Sequence, residues 1–430
     1  MRKVYLVFLA SILIITLMGF GAYVLWRLPS TPPQVQRLPD GRVARLEAVT
    51  YGEKSTVTIG PFGLIRVKSD SGTVSASDPL AFYFSLSDGK WQSYLGTHDI
   101  ALDEHGRWMD MGRRGRSVSS DQSFLGVEFK RDVKIVQLPV FPRRGRKVIL
   151  RLYDEKEGGK IAEFSAPNPT PGPHPNWTPE SFPITRREDD LVFSLTKLNL
   201  NMNYDEKSLP NYGLNYQAYF VITRGNKSTR EWAPVSVKIS DATGNLISEE
   251  LNSPLSEFNY KNGEVFIDLD HGICLDEVWK LKVEFARIEH SHFAPDEIWT
   301  IGGLKLPTAN TIIRSTENTM RQGRRLRLIG IGGPGMRQWE PGTASGGQIT
   351  EVRARISLPC EDFRLSLFAR DNRGRKYTGS VTGYTDLPSD KEREFSFSFS
   401  DIQPGAKSLD LTFAIHKTRF AEFLAKPATP

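Results

Sequence analysis

Two periods organise the hydrophobic positions of this chain. Residues Val4 to Trp26 form one apolar run without a charged residue. After it, apolar positions alternate with polar ones. In Glu394-Phe395-Ser396-Phe397-Ser398-Phe399-Ser400, three phenylalanines fall on one side and three serines on the other. Trp279 to Phe285 repeats the pattern, with Leu281, Val283 and Phe285 opposite Lys280, Lys282 and Glu284. Period two is the mark of an antiparallel strand with one wet face. No stretch beyond residue 26 keeps a helical period, so the body is expected to be all-β.

The N-terminal run is long enough for a membrane helix. At 1.5 Å per residue it spans about 34 Å, more than a hydrocarbon core of about 30 Å. Gly19-Phe20-Gly21-Ala22 is a poor match to a small-residue cleavage site, which favours an uncleaved signal-anchor over a removed leader. Arg2 and Lys3 precede the run, and Tyr23 and Trp26 suit the interfacial belt. The expected partner of residues 4–26 is therefore the membrane. The expected location is a single-pass cell-membrane protein whose body is extracytoplasmic, periplasmic or at the cell surface.

Three markers recur in the same order at similar spacing. Strands open near Val43, Leu191 and Leu326; D-x-x-G turns follow at Asp103 to Gly106, Asp241 to Gly244 and Asp371 to Gly374; alternating strands start at Val148, Leu281 and Leu409. Glycine at the fourth position supplies the positive φ that a tight turn needs. Recurrence of this kind marks repeated modules. Prolines 167, 169, 171, 173, 175, 179 and 183 crowd one segment, and prolines 29, 32, 33 and 39 another. Proline lacks the N–H a sheet ladder requires, so both segments read as semi-rigid spacers. The resulting organisation is an anchor over 1–27, a Pro-rich spacer over 28–40, β-sandwich modules over 41–166, 186–307 and 324–424, and linkers over 167–185 and 308–323. Tandem immunoglobulin-like or fibronectin-like sandwiches are the expected fold.

Charge and cysteine content narrow the partners. The net charge is +6 for 430 residues, and +3 once Arg2, Lys3 and Arg27 are set aside, so bulk charge points to no nucleic acid. Cys274 and Cys360 are the only cysteines. Two buried thiols are the default, with a disulfide between them as the alternative, so stability has to come from packed sheets.

Leu38-Pro39-Asp40-Gly41, followed by Leu46-Glu47-Ala48-Val49-Thr50-Tyr51-Gly52, resembles the start of uncharacterised single-span, β-rich bacterial envelope proteins. Trp279 to Phe285 and the turn Phe141-Pro142-Arg143-Arg144-Gly145-Arg146 resemble later parts of the same group. These are strand and turn motifs, and the resemblance implies a compartment and an architecture without an activity.

Catalytic signatures are weak. Gly330 to Gly335 matches G-x-G-x-x-G, yet Pro334, Pro341 and the glycines of 342–347 leave no room for the helix a dinucleotide site requires. His290, His292, Asp296 and Glu297 read as a polar loop, and Asp268, Asp270 and His271 as a polar turn. Neither G-x-S-x-G nor H-E-x-x-H occurs. No cofactor, metal or catalytic residue is expected. Trp91, Trp108, Trp177 and Trp339 lie in or beside turn-rich segments where an indole can stack on a sugar ring. Arg113, Arg114, Arg143, Arg144 and Arg146 form basic turns suited to an anion, although basic residues at strand ends also keep edges soluble. Trp232, Trp279 and Trp299 sit in strand-like surroundings and read as core. The expected function is a non-enzymatic structural or interaction module of the cell envelope, partnered by another envelope protein or a polysaccharide. The alternative is a carbohydrate-binding or carbohydrate-processing module.

Overall fold

The computed structural model describes residues 34–428 apart from 40, 53–54, 60–64, 70–79, 87–96, 107, 111–114, 125–126, 155–159, 202–214, 252–259, 262–263, 270–272, 274–275, 288–292, 309–310, 334–349, 360–361, 388–390, 400–401 and 404. The anchor expected over residues 4–26 lies outside them, and among the described residues no helix is long and apolar enough to cross a membrane. Those residues form antiparallel strands and a single 3₁₀ turn, Pro295–Glu297, so the body is all-β as its period-two pattern requires.

The chain divides into two compact units, Met1–His174 with Asn203–Gly213, and Pro175–Met202 with Leu214–Pro430. In the first, one sheet runs in the order β1 (Val35–Arg37), β2 (Val43–Tyr51), β5 (Leu80–Leu86), β9 (Val127–Leu138), β8 (Gly115–Phe124). The facing sheet runs β11 (Lys160–Pro167), β10 (Lys147–Asp154), β6 (Thr97–Asp103), β7 (Trp108–Asp110). The hairpin β3 (Ser55–Ile59) and β4 (Ile65–Ser69) pairs separately. Phe84 of β5 meets Phe164 of β11 with ring centroids 4.7 Å apart, so the two apolar faces close on each other as a sandwich.

The second unit holds two further sandwiches. One sheet runs β12 (Ile184–Glu188), β13 (Leu191–Asn201), β14 (Asn215–Arg224), β19 (Glu264–Leu269), β18 (Tyr260–Lys261), with β15 (Lys227–Ser228) beside β14. It faces β17 (Leu246–Glu250), β16 (Trp232–Asp241), β20 (Trp279–Arg287) and β30 (Arg419–Ala425). Leu281, Val283 and Phe285 all point inward, and Phe193 stacks on Phe285 at 4.2 Å. The last sandwich is built from β21 (Ile298–Lys305), β29 (Ser408–Lys417), β26 (Phe363–Asp371), β27 (Lys376–Leu387), β28 (Glu392–Phe399), β25 (Thr350–Ser357), β24 (Arg324–Gly332) and β22 (Ile312–Arg314), with β23 (Asn318–Arg321) also on β24. Its two layers share β27, whose residues 376–379 pair with β26 and 380–387 with β28. Trp299, Phe397 and Phe413 fill its core.

The last two sandwiches exchange strands. In the first sandwich, β10 is followed by β11, which folds back beside it. In the second, β20 is followed by β21, but β21 leaves to pair with β29, and the C-terminal β30 takes the place beside β20. Phe423 of β30 is fully buried there, with its ring 5.8 Å from Phe220. Trp299 of β21 reciprocally stacks on Phe413 at 5.4 Å. Each sandwich therefore keeps part of its core on a strand reached through the other.

The three D-x-x-G turns are copies of one device. Gly106, Gly244 and Gly374 have φ of +77°, +92° and +82°, and each donates its N–H to the carbonyl of the aspartate three residues back. Asp103, Asp241 and Asp371 are buried, and each carboxylate accepts the N–H two residues on: His105 at 2.8 Å, Thr243 at 2.9 Å and Arg373 at 2.9 Å. The side chain thus mimics a turn of backbone. Across the sheet these aspartates stand opposite Val148, Trp279 and Leu409, so the turn and the later alternating strand of each module are neighbours. Gly333 has another reason to be glycine. A Cβ there would lie 2.2 Å from the Thr308 carbonyl, because the backbone before β22 passes directly over it.

Candidate functional site

The expected site residues fall in separate places. Trp91, Trp339, Arg113, Arg114, Cys274, Cys360, His290 and His292 lie outside the described residues. Trp108 belongs to β7, opposite Leu102. The basic turn between β9 and β10 is knitted inward: Arg143 is buried with its guanidinium 4.5 Å from the centre of the Phe141 ring, and Arg144 donates to the His174 carbonyl at 3.2 Å. Arg146 is exposed. Its backbone N–H, with that of Lys147, is capped by the Glu104 carboxylate at 2.6 and 3.0 Å. The Arg146 N–H is the main reason that carboxylate titrates at about 2. Buried Asn168 donates to the carbonyls of Arg143 and Gly145, completing the turn. Arg143 and Arg144 are thus engaged within the turn, and Arg146 is left at the surface.

Where the exchanged strands cross, buried carboxylates are paired with half-buried arginines. Arg364 of β26 meets Glu284 of β20 at 2.9 Å, and Glu284 also accepts from Ser236 at 2.8 Å. Arg287 pairs with Glu297, whose carboxylate accepts the Ala294 N–H at 2.8 Å. His416 of β29 has no exposed surface and accepts the Arg287 backbone N–H on Nε2 at 3.2 Å. Burial, reinforced by Arg287 and Arg364, pushes its pKa down to about 3, so the ring is neutral. Trp232 lies under the Arg287 and Arg419 guanidinium groups at 5.6 and 5.9 Å. This cluster is a joint: every charge in it has a partner within the fold.

The outer face of the sheet β17–β16–β20–β30 is different. Lys280 and Lys282 leave β20 on its wet side, and Lys238 of β16 stands directly opposite Lys282. Two strands lie about 4.8 Å apart and alternate residues about 6.8 Å apart, so three ammonium stems rise from one small patch. Like charges directly opposite on a sheet destabilise it. Among the described residues no carboxylate makes a salt bridge to any of the three, although Glu422 stands opposite Lys282 in register. Aromatic rings border them instead. Lys280 Nζ lies 5.0 Å from the Trp177 ring centre, and Lys282 Nζ lies 5.4 Å from that of Phe420, which is 38% exposed.

Trp177 comes from the proline-rich segment, which holds no strand between β11 and β12 and lies along the edge of β30. Glu180 fastens it: its N–H donates to the Leu424 carbonyl at 2.8 Å and its carboxylate accepts the Leu424 N–H at 3.2 Å. The Arg186 guanidinium, bound to the same carboxylate, is the first cause of its lowered pKa. Lysines at wet positions of a strand carry no sequence signal of clustering, because their grouping depends on strand pairing.

The face of β24, β25 and β28 shows what compensation looks like in the same chain. Arg327, Arg353 and Arg355 interleave with Glu351, Glu392 and Glu394 at 2.7 to 3.8 Å, in one continuous ladder. No known family model matches this chain, and no curated protein matches it in sequence.

Proposed function

We propose that the chain is a non-enzymatic interaction module of the cell envelope: a body of immunoglobulin-like or fibronectin-like sandwiches, tethered by residues 4–26 to the membrane with the body outside the cytoplasm, that binds another envelope component. The observation that carries this reading is the Lys238, Lys280, Lys282 face, where three lysines share one patch without a salt bridge among the described residues, whereas the arginines of the β24, β25 and β28 ladder are each matched. Like charges set opposite each other, as Lys238 and Lys282 are, cost stability in the free protein, and a bound anion offsets that cost. The strand exchange supports the same reading, since it couples two sandwiches into one body able to hold the face at a fixed place. A tether raises the local concentration of such a face at the membrane surface.

Proximity labelling from a fusion at the C-terminus, in intact cells, tests the interaction role. The same envelope component is expected in repeated experiments, with labelling reduced when Lys238, Lys280 and Lys282 are replaced together. Recovery of no recurrent neighbour, or of cytoplasmic proteins alone, would rule the reading out.

A further inference from the structure

We propose that the outer face of β17–β16–β20–β30 binds an acidic polysaccharide, with Lys238, Lys280 and Lys282 meeting its anionic groups and Trp177 and Phe420 stacking on its sugar rings. This names the partner class of the binding face and rests on the reading of the chain as an envelope binding module.

The chemistry of the face selects among anions. Lysine presents a compact charge with three rotatable donors, and it needs no fixed planar acceptor. The three lysines stand on two neighbouring strands, so their charges are offset both along and across the sheet. Aromatic rings lie at two sides of this patch, Trp177 by Lys280 and Phe420 by Lys282. A ligand that alternates anionic groups with rings whose C–H faces are apolar satisfies both features at once, and an acidic glycan chain is that ligand.

Other anionic partners fit less well. An extended acidic peptide would bind by adding a strand to the sheet edge, but the edge at β30 is taken. Leu424 exchanges hydrogen bonds with Glu180, and the Phe420 N–H donates to the Glu188 carboxylate at 3.2 Å. A bilayer surface presents a continuous negative plane that cannot avoid the exposed Glu422 opposite Lys282, whereas a chain with spaced charges can pass it.

Binding is measured on the full chain in nanodiscs of zwitterionic lipid, with oligogalacturonate as the probe and neutral dextran, polyglutamate and vesicles rich in anionic lipid as comparisons. Oligogalacturonate is expected to bind more tightly than any of the three, and more weakly as salt rises. The triple substitution K238S/K280S/K282S is expected to weaken it about tenfold or more, the loss of a few charge-assisted contacts. W177A is expected to weaken it while leaving the salt dependence unchanged, which separates stacking from charge. K238S alone, at an exposed wet position, reads the same site should the triple variant melt early.

Equal binding of polyglutamate would overturn the polysaccharide and leave a charge-selective face. Vesicle binding that exceeds oligogalacturonate binding would overturn it in favour of lipid. No binding of oligogalacturonate at millimolar concentration, or unchanged binding by a folded triple variant, would overturn it outright. If proximity labelling still returns a neighbour that depends on the lysines, the interaction role outlives that failure.

Discussion

Gln36 and Glu163 hold hands across the open seam of the first sandwich: the Glu163 N–H donates to Gln36 Oε1 at 3.0 Å, and Gln36 Nε2 donates back to the Glu163 carbonyl. Gln34 does the same with Ser165, its Oε1 accepting the N–H at 2.9 Å. Two side-chain amides, one on β1 and one on the residue before it, thereby stand in for a missing neighbour of β11. The second sandwich seals its equivalent edge, β30, with Glu188 and Glu180, and in the third Arg321 donates to the Ile298 carbonyl of β21 at 2.6 Å. The sealed edges are β11, β30 and β21. That correspondence independently identifies β30 and β21 as exchanged equivalents.

Replacing Gln34 and Gln36 by valine removes these substitutes and exposes an edge that sheets join readily. The double variant is expected to lose about 1 to 2 kcal/mol of stability. Hydrogen exchange should show faster exchange at the amides of Glu163 and Ser165, and light scattering should show self-association.

Phe423 sits at the C-terminal end of the chain, yet it fills the core of the second sandwich. Phe423→Ala is expected to destabilise by about 3 to 5 kcal/mol. The loss should be read in exchange protection of β13 and β14, more than 190 residues earlier in sequence. Ending the chain after Lys417 should abolish that protection, although no residue of either strand is changed.

Asp241 accepts the N–H groups of Thr243 and Asn245 and the Thr243 hydroxyl on one buried oxygen. Asp241→Ala leaves those donors without an acceptor, and a loss of about 1 to 3 kcal/mol is expected by chemical denaturation. Asp241→Asn retains an acceptor oxygen and should recover most of it. At Asp371, burial raises the pKa, but the Arg375 and Arg373 N–H groups, the Tyr377 hydroxyl and the Arg375 guanidinium outweigh it and hold the pKa at about 2. Its stabilising contribution is present above its ordinary value of 3.8 and fades as pH falls toward 2.

His416 acts over a higher window. Its pKa is about 3 in the fold against an ordinary 6.5, so below pH 6.5 the unfolded chain takes up a proton that the folded chain refuses. Stability is complete above 6.5 and declines as pH falls toward 3, at up to about 1.4 kcal/mol per unit. Thermal melts of the second unit should follow this slope, and His416→Gln should flatten it between pH 6 and 4.5. An unchanged slope in that variant would assign the decline to carboxylates.

What was legible in the sequence was local. Period-two alternation at Trp279 to Phe285 and Glu394 to Phe399 is written in successive residues, and both became strands with the expected faces inward. The D-x-x-G turns were readable for the same reason, since an aspartate and a glycine three apart make their own hydrogen bonds. Trp232, Trp279 and Trp299 are buried as their strand surroundings suggest. Which sheet an alternating strand joins was not legible: Arg419–Ala425 carries Ala421, Phe423 and Ala425 inward but nothing that names Trp279–Arg287 as its partner. The lysine face was hidden likewise, because Lys238 meets Lys282 only through pairing across 44 residues of sequence. The buried place of Arg143 depends on Phe141 and on distant Asn168.

The exchange of β21 and β30 also bears on how the polypeptide is made. During synthesis from the N-terminus, β12 to β20 emerge more than 130 residues before the strand that completes their sheet, so that half-built layer waits with an open margin until β30 follows. A polypeptide that stops before Arg419 has every strand of the third sandwich but lacks the one that closes the second. Closure of the second sandwich is thereby deferred until every strand of the third has been made.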